Sequence, residues 1–256
     1  MEIVHSRVVG QGPVMLILHG YLGMGDNWKT LANKYGEFYE VHLIDMRNHG
    51  RSFHSTLFDY DVMVEDIVNY LEVKGIDKIT LIGHSMGGKA AMNFAVKHGN
   101  RIDKLIIADI SPRFYPDHHQ DILEALNAVD FEKQKTRGEI EQVMGSVIKE
   151  PGVVQFLMKN VFRRAKDQLD FRFNLRVLTD KYSTVGRELE QGSSFDGATL
   201  FLKGAKSKYI GDEDVKIIHA HFPNALIQEI SGAGHWLHAE NPSEFLEKTL
   251  KFLQRT

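Results

Sequence analysis

Short apolar runs alternate with segments of helical spacing along most of this chain, and this alternation restricts the possible fold more than any other feature. In the intervening segments apolar residues recur three and four positions apart, as at Val64, Ile67, Val68 and Leu71. Runs without polar alternation are typical of strands buried on both faces. The pattern predicts an α/β fold with a mostly parallel sheet between two layers of helices. The predicted strands are residues 14–18, 41–44, 79–82, 105–108, 200–202 and 226–230.

The alternation lapses between residues 112 and 192. This stretch is charged and has helical spacing at 122–129, 140–148 and 153–162. We interpret 112–192 as an inserted helical cap on a core formed by residues 1–111 and 193–256. Six aromatic residues of this segment either line an apolar pocket or only pack the cap on the sheet. They are Phe114, Tyr115, Phe156, Phe162, Phe171 and Phe173.

Composition excludes several classes of function. The net charge is -3 and no stripe of Lys and Arg is present, so the chain lacks the basic surface that nucleic acids or anionic membranes require. The chain has no Cys, which excludes disulfides, thiolate metal sites and cysteine nucleophiles. Residues 1–12 lack the apolar core of a signal peptide, and no stretch is long enough to span a membrane. We expect a cytoplasmic protein, monomeric or dimeric, without nucleic-acid or membrane partners.

The pattern G-H-S-M-G at residues 83–87 lies between a predicted strand and a helix-like run at 88–98. Two glycines at this spacing let a strand turn sharply into a helix, which holds Ser85 in a strained, exposed conformation. The N-terminus of the helix favours negative charge that develops there. A purely structural glycine turn is the alternative, but the strand before and the helix after favour Ser85 as a nucleophile.

A serine hydroxyl needs a base within hydrogen-bond reach, because it loses its proton as it attacks. Among 13 histidines, His235 stands in G-A-G-H-W at 232–236, in a loop between the last predicted strand and the C-terminal helix. Its small neighbours let the ring reach across the strand ends. We therefore predict that His235 is the general base, and we interpret His84 and His238 as structural neighbours.

The pattern H-G-Y-L-G at residues 19–23 follows the first predicted strand. A glycine-containing turn at this position can direct a backbone N–H into the site, where it forms an oxyanion hole together with the N–H of Met86. We predict Tyr21 as the donor, with Leu22 as the alternative. A plain turn from strand to loop is the other interpretation.

Residues 45–52, D-M-R-N-H-G-R-S, follow the second predicted strand. We interpret them as a structural turn clamped by Asp45 and Arg47. No chemistry is assigned to this turn.

Taken in this order, the motifs resemble those of the α/β-hydrolase superfamily, from His19 to the terminal helix. Four stretches resemble the YbfF-type esterases and their mitochondrial relatives among the abhydrolase-domain proteins: R-N-H-G at 47–50, G-H-S-M-G-G-K-A at 83–90, D-I-S-P at 109–112 and G-H-W-L-H-A-E at 234–240. The resemblance implies hydrolysis of short acyl esters and, in some cases, acyl-CoA thioesters. It implies neither a metal nor an organic cofactor.

One departure from the superfamily concerns the acid that orients the base. The usual acid follows the strand predicted here at 200–202, in a G-x-x-D pattern, but this chain has Ser207 at that place. Active-site side chains of open parallel sheets project from the carboxyl ends of strands, where Asp109 stands. Asp109 is therefore the predicted acid, in the superfamily's order of nucleophile, acid and base. Asp212 and Asp214 are alternatives, and Asp109 capping its own turn is another.

These residues predict a serine esterase for short-to-medium acyl esters or thioesters. Ser85 attacks the carbonyl, His235 transfers the proton, Asp109 fixes the histidine tautomer, and water resolves the acyl-enzyme. The same triad would serve a perhydrolase or an acyltransferase. A protein that senses small molecules on the same fold is the alternative from another class. Dehalogenases and epoxide hydrolases are disfavoured because they need a carboxylate where Ser85 stands.

Overall fold

A central sheet of seven strands organises the protein, which the computed structural model describes over residues 2–117 and 120–255. Its strands are β1 (Ser6–Val9), β2 (Val14–Leu18), β3 (Glu40–Ile44), β4 (Ile79–His84), β5 (Ile102–Ala108), β8 (Thr199–Gly204) and β9 (Ala225–Ile230), and a separate hairpin contains β6 (Val161–Ala165) and β7 (Gln168–Phe171). The order is β1-β3-β2-β4-β5-β8-β9, and only β1 runs antiparallel to its neighbour.

The predicted strands are all present, and several extend a few residues beyond the predicted range. Along β2, Met15 and Ile17 join one hydrophobic cluster while Leu16 and Leu18 join the other. Both faces of the sheet are therefore buried, which explains the continuous apolar runs. Strand β1 was not predicted, because its residues are half-buried or exposed at the edge of the sheet and have no such run.

Helices cover both faces of the sheet. They are α1 (Lys29–Tyr35), α2 (Tyr60–Lys74), α3 (Met86–His98), α4 (Gln120–Asn127), α5 (Arg137–Val147), α6 (Pro151–Met158), α7 (Leu175–Asp180), α8 (Asp212–His221), α9 (Leu237–Glu240) and α10 (Pro242–Leu253). Helices α2, α3 and α8 contribute to one cluster, and α1 and α10 contribute to the other. The fold is thus the predicted α/β-hydrolase architecture.

Helix α2 shows how local sequence sets the ends of these helices. The side chain of Asp59 accepts a hydrogen bond from the Val62 N–H, which satisfies one of the unpaired donors of the first turn. The helix ends at Gly75, whose φ of 66° is the left-handed conformation that glycine adopts without strain. The capping residues Asp59 and Gly75 therefore stand where α2 begins and ends.

Segment 112–192 lies between β5 and β8, and in its described part it contains α4 to α7 and the hairpin β6–β7. The helical pattern predicted at 153–162 was wrong at its end, because α6 stops at Met158 and β6 begins at Val161. Between the two elements lies buried Asn160, whose side-chain amide donates to the Leu22 carbonyl oxygen at 2.9 Å, a long-range contact that helical spacing does not report.

Candidate active site

Ser85 stands at the sharp turn between β4 and α3, with φ 52° and ψ −119°. Glycine is required on both sides of it. A Cβ on Gly83 would lie 2.4 Å from the Gly87 carbonyl oxygen, and a Cβ on Gly87 would lie 2.5 Å from the carbonyl oxygens of His19 and Leu18. A non-glycine residue with positive φ stores backbone strain, and such strain clusters at functional sites. The structure therefore has the strained strand-to-helix turn that the motif predicts.

Ser85, His235 and Asp109, which lie far apart in sequence, meet at the carboxyl edge of the sheet. His235 Nδ1 lies 2.8 Å from Asp109 Oδ2, and His235 Nε2 lies 3.1 Å from Ser85 Oγ. An ionised carboxylate only accepts hydrogen bonds, so Nδ1 carries the hydrogen and Nε2 is left as an acceptor for the Ser85 hydroxyl. The arrangement is a relay from carboxylate to imidazole to hydroxyl.

Asp109 is fully buried and has a φ of 52°. Its Oδ1 accepts a hydrogen bond from the Gly204 N–H at 3.0 Å, and its Oδ2 accepts one from the Ser207 hydroxyl at 2.5 Å. Burial raises the pKa of Asp109 to about 6, while the bonds from Ser207 and Gly204 act in the opposite direction. Ser207, which the sequence analysis only noted as a missing acid, thus contacts the carboxylate.

The two alternative acids have other surroundings. Asp214 pairs with Arg113, whose Nε lies 2.9 Å from Oδ1, and its Oδ2 accepts a hydrogen bond from the Gly211 N–H at 2.8 Å. Asp212 is exposed at the start of α8. Of the three aspartates considered from sequence, Asp109 is the one placed against His235 Nδ1.

His84 and His238 are buried beside His235. His84 Nε2 donates to the His235 carbonyl oxygen at 2.9 Å, and the His238 ring stacks on Trp28 with centroids 4.0 Å apart. Burial lowers the pKa of His84 to about 3, and the nearby His235 adds to this effect. Burial also holds the pKa of His238 well below its usual value. Both rings are therefore neutral packing partners at ordinary pH.

The turn at residues 19–23 occupies the predicted position beside Ser85. The Leu22 N–H donates to His49 Nε2 at 3.2 Å, and His49 Nδ1 donates to the Arg47 carbonyl oxygen at 2.9 Å. Leu22, the alternative oxyanion donor, therefore already has an acceptor. Met86 is the first residue of α3, where a backbone N–H has no acceptor within the helix. Tyr21 lines the same cavity as Ser85 and Met86.

Asp45 and Arg47 both hold the turn at 45–52, as the sequence predicted, and they do so through separate partners. Arg47 forms a two-bond ion pair with Asp66, at 2.6 Å and 2.8 Å. Asp45 accepts hydrogen bonds from the N–H groups of Gly25 and Arg51 at 2.7 Å and 2.8 Å. Each side chain thus ties the turn to a different part of the core.

A cavity of about 70 Å³ opens over Ser85 and His235. Segment 112–192 contributes much of its apolar wall, through Tyr115, Ile122, Val153, Phe156, Leu157, Tyr182 and Val185. Of the aromatic residues considered from sequence, Tyr115 and Phe156 line this cavity. Phe171 and Phe173 stack on each other with centroids 4.9 Å apart in the core, and Phe114 is 52% exposed. Some of these aromatic residues therefore line the pocket, and others only pack in the core.

Three residues near the site were not predicted from the sequence to take part in it. Ser207 contacts Asp109, as described above. The Tyr209 ring stacks on the His235 ring with centroids 3.8 Å apart and an interplanar angle of 15°. Lys89, fully buried one turn after Ser85, donates to the carbonyl oxygens of Pro112 and Arg113. A charged residue in an apolar run was the available signal for Lys89, whereas no sequence pattern indicated Tyr209.

Two further observations bear on the class of site. Within residues 2–117 and 120–255, no group of three His, Asp or Glu side chains is arranged to hold a metal ion. No helix in the same part of the chain has the length and apolar character needed to cross a membrane.

Comparison with known proteins identifies the family of this chain. Residues 13–143 match the family described as alpha/beta hydrolase fold. The chain is 37% identical to the Escherichia coli esterase YbfF over 242 residues, which cover 94% of this chain and 92% of that protein. It is 35% identical to the Danio rerio sn-1-specific diacylglycerol lipase ABHD11, over 96% of this chain and 80% of that protein.

A solved structure, a marine microorganism esterase, superimposes with a TM-score of 0.95 at 37% identity, covering 98% of this chain and 100% of that one. The fold, the strand-to-helix turn at Ser85 and these similarities all indicate the same family. The chain belongs to the α/β-hydrolase family, in the group of the YbfF-type esterases.

Proposed function

We propose that this protein hydrolyses carboxylic esters through an acyl-enzyme formed on Ser85. The relay from Asp109 through His235 to Ser85, with bonds of 2.8 Å and 3.1 Å, is the observation that carries the proposal. Family membership supports it, because similar proteins include an esterase and a lipase. Together they make ester hydrolysis the reaction that the site suits best.

In the proposed mechanism the Ser85 oxygen attacks the ester carbonyl while His235 Nε2 takes its proton. Asp109 accepts the hydrogen bond from Nδ1 and stabilises the imidazolium that forms. His235 then returns the proton to the leaving oxygen, which departs as an alcohol, and a water molecule releases the acid in the second half of the cycle. The same steps serve a thioester, whose leaving group is a thiol.

The oxyanion of the tetrahedral intermediate needs donors that are already in place. We assign this role to the backbone N–H groups of Met86 and Tyr21. The position of Met86 at the first turn of α3 supports the first assignment. The bond from the Leu22 N–H to His49 counts against Leu22, and Tyr21 lines the same cavity as Ser85 and Met86.

Segment 112–192 acts, in this proposal, as a cap that limits the acyl group. Its side chains form much of the apolar wall of the cavity over Ser85, and apolar side chains at this place keep water away from the reacting centre. A volume of about 70 Å³ is several times the roughly 10–15 Å³ that a cavity needs to hold one water, so there is room here for a group larger than water. We therefore expect short and medium acyl chains to be preferred over very long ones.

A chain-length panel tests the proposal. We expect steady turnover of p-nitrophenyl acetate, butyrate and octanoate, with much slower turnover of the palmitate ester, and no turnover by Ser85→Ala. Acyl-CoA thioesters of the same chain lengths measure the preference for the leaving group. Saturable binding of these esters without turnover would instead indicate a sensing protein, and equal rates from acetate to palmitate would contradict the role of the cap.

A further inference from the structure

Tyr209 lies flat against the imidazole of His235, in the loop between β8 and α8. The ring centroids are 3.8 Å apart and the rings are within 15° of parallel. The same loop contains Ser207, which bonds Asp109 and accepts a hydrogen bond from the Tyr209 N–H at 3.2 Å. One loop therefore contacts both the base and the acid of the proposed triad.

Tyr115 holds Tyr209 in this place. Its hydroxyl donates to the Tyr209 carbonyl oxygen and accepts a hydrogen bond from the Ser111 N–H at 2.9 Å. The two tyrosine rings stack with centroids 5.4 Å apart, and the Arg113 guanidinium carbon lies 3.8 Å from the centroid of the Tyr115 ring. Arg113, Tyr115, Tyr209 and His235 therefore form a continuous series of contacts, which we call the stacking column.

The end of the stacking column at Arg113 is bound to α3, the helix that follows Ser85. Lys89 on α3 donates to the carbonyl oxygens of Pro112, at 3.0 Å, and of Arg113. Arg113 also pairs with Asp214 of α8 at 2.9 Å. These bonds fix the column relative to Ser85, so Tyr209 has little freedom to leave the face of His235.

The contacts around His235 define what Tyr209 adds. Asp109 at the end of β5 meets Nδ1, and His84 at the end of β4 lies with its ring centroid 4.8 Å away. The His238 ring on α9 packs against His84 with centroids 4.6 Å apart. Burial keeps the pKa of both histidines low, so neither adds positive charge near His235. Burial raises the pKa of Tyr209, so its ring stays neutral. Tyr209 thus offers a neutral aromatic face to the imidazole.

An aromatic face within about 6 Å of a cation stabilises it through the ring quadrupole. In the catalytic cycle a neutral His235 becomes a cation when it takes the proton of Ser85, so this stabilisation is larger in the transition state than in the resting enzyme. A stacked ring also restricts rotation of the imidazole, which must meet Ser85 and Asp109 at the same time. Both effects act on the step that the triad performs.

We propose that Tyr209 is a positioning residue for His235, whose ring fixes the plane of the imidazole and stabilises the imidazolium during attack by Ser85. The inference rests on the proposed hydrolysis at Ser85. It assigns the effect to the aromatic face of Tyr209 and not to its hydroxyl.

The test compares Tyr209→Phe, which keeps the aromatic face, with Tyr209→Leu and Tyr209→Met, which remove it. We would measure kcat/KM for p-nitrophenyl butyrate from pH 5 to pH 8. The Phe variant should stay within about twofold of wild type. The two aliphatic variants should lose roughly tenfold in the plateau rate, the scale of one desolvated cation–π contact, and their acid limb should move to lower pH because the imidazolium is less stable.

Two aliphatic variants are included so that failure of one to fold leaves the other as the test. An aliphatic variant that folds and keeps the wild-type plateau and pH profile would overturn the proposal, and so would a Phe variant as impaired as Leu. A lower rate with an unshifted limb would show that the ring only fills space. Labelling of wild-type Ser85 by a fluorophosphonate separates the two claims, since its absence would count against the hydrolysis itself.

Discussion

Ser207 donates a hydrogen bond to Oδ2 of Asp109, the same oxygen that receives the hydrogen bond of the His235 ring. The side chain at the superfamily's usual acid position therefore supports a carboxylate that comes from another strand. The Gly204 N–H binds the second oxygen at 3.0 Å. Such donors favour the ionised form of a carboxyl group that burial disfavours.

Replacing the proposed acid tests this arrangement. Asp109→Asn should keep the fold and lose roughly four orders of magnitude in kcat, because an amide at this position favours the wrong histidine tautomer. Asp212→Asn is the matched control and should keep kcat within a fewfold of wild type. Asp214→Asn removes the carboxylate that pairs with Arg113 and should lose far less activity than Asp109→Asn. Steady-state kinetics of the three variants decide the matter. Loss of catalysis at Asp212 or Asp214, with Asp109→Asn still active, would show that the acid is assigned wrongly.

Activity should rise with pH through the region near 6. His235 must be neutral to accept a proton, and the reference pKa of histidine is about 6.5. Asp109, whose pKa burial raises to about 6, must be ionised to hold the ring. Both requirements are lost as pH falls, so kcat/KM should fall along one acid limb that belongs to the coupled pair.

Ser207→Ala should move this limb to higher pH. The Ser207 hydroxyl lowers the pKa of Asp109, so its removal leaves the carboxyl group protonated over a wider range. Profiles of kcat/KM from pH 5 to pH 8 measure the shift. Ser146→Ala, on the exposed face of α5, is the control and should leave the profile unchanged. A limb that stays in place or moves to lower pH in Ser207→Ala would contradict this account of the acid.

Buried Lys89 should make stability depend on pH. Burial, aided by Arg113, lowers the pKa of Lys89 to about 7, whereas an unfolded lysine titrates near 10.4. Between these values the unfolded chain binds more protons than the folded one, so the contribution of Lys89 to stability rises with pH.

The comparison of wild type with Lys89→Met isolates this contribution. From pH 7 to pH 9, the difference in the free energy of unfolding should shift towards wild type by about 2 kcal/mol. Urea unfolding at the two pH values measures it. A difference that is the same at both pH values would mean that Lys89 stays charged in the folded protein throughout.

The turn at Ser85 should not tolerate a side chain at Gly87. Gly87→Ala places a Cβ 2.5 Å from two backbone oxygens, so we expect the free energy of unfolding to fall by about 2 kcal/mol or more, with loss of activity. Gly145→Ala, in exposed α5 with no atom within 4 Å of the new Cβ, should instead stabilise by about 0.5–1 kcal/mol. Chemical denaturation compares the two. A stable, active Gly87→Ala protein would contradict the described turn.

Features carried by local pattern were predictable from the sequence. Strands buried on both faces have unbroken apolar runs, and the spacing of Gly83 and Gly87 around Ser85 specifies a sharp turn. The edge strand β1 and the hairpin β6–β7 lack such runs because many of their residues face solvent. Their pairing depends on partners elsewhere in the chain, which periodicity does not report.

Contacts between loops distant in sequence were not predictable. Ser207 meets Asp109 across 98 positions, and Tyr209, whose carbonyl oxygen accepts a hydrogen bond from Tyr115, stacks on His235. Arg47 holds its turn through an ion pair with Asp66 of α2, a partner that the sequence pattern did not indicate. Such choices depend on how helices and loops pack, which no local pattern in this chain encodes.

Covalent trapping of the nucleophile tests the central claim most directly. A fluorophosphonate should modify the wild-type protein once, and peptide mass spectrometry should place the adduct on Ser85, because the His235 base and the turn after β4 activate this hydroxyl alone. Ser85→Ala should melt at the temperature of wild type, take up no label and hydrolyse no ester. Labelling that persists in Ser85→Ala, or turnover at the wild-type rate by this variant, would contradict the account.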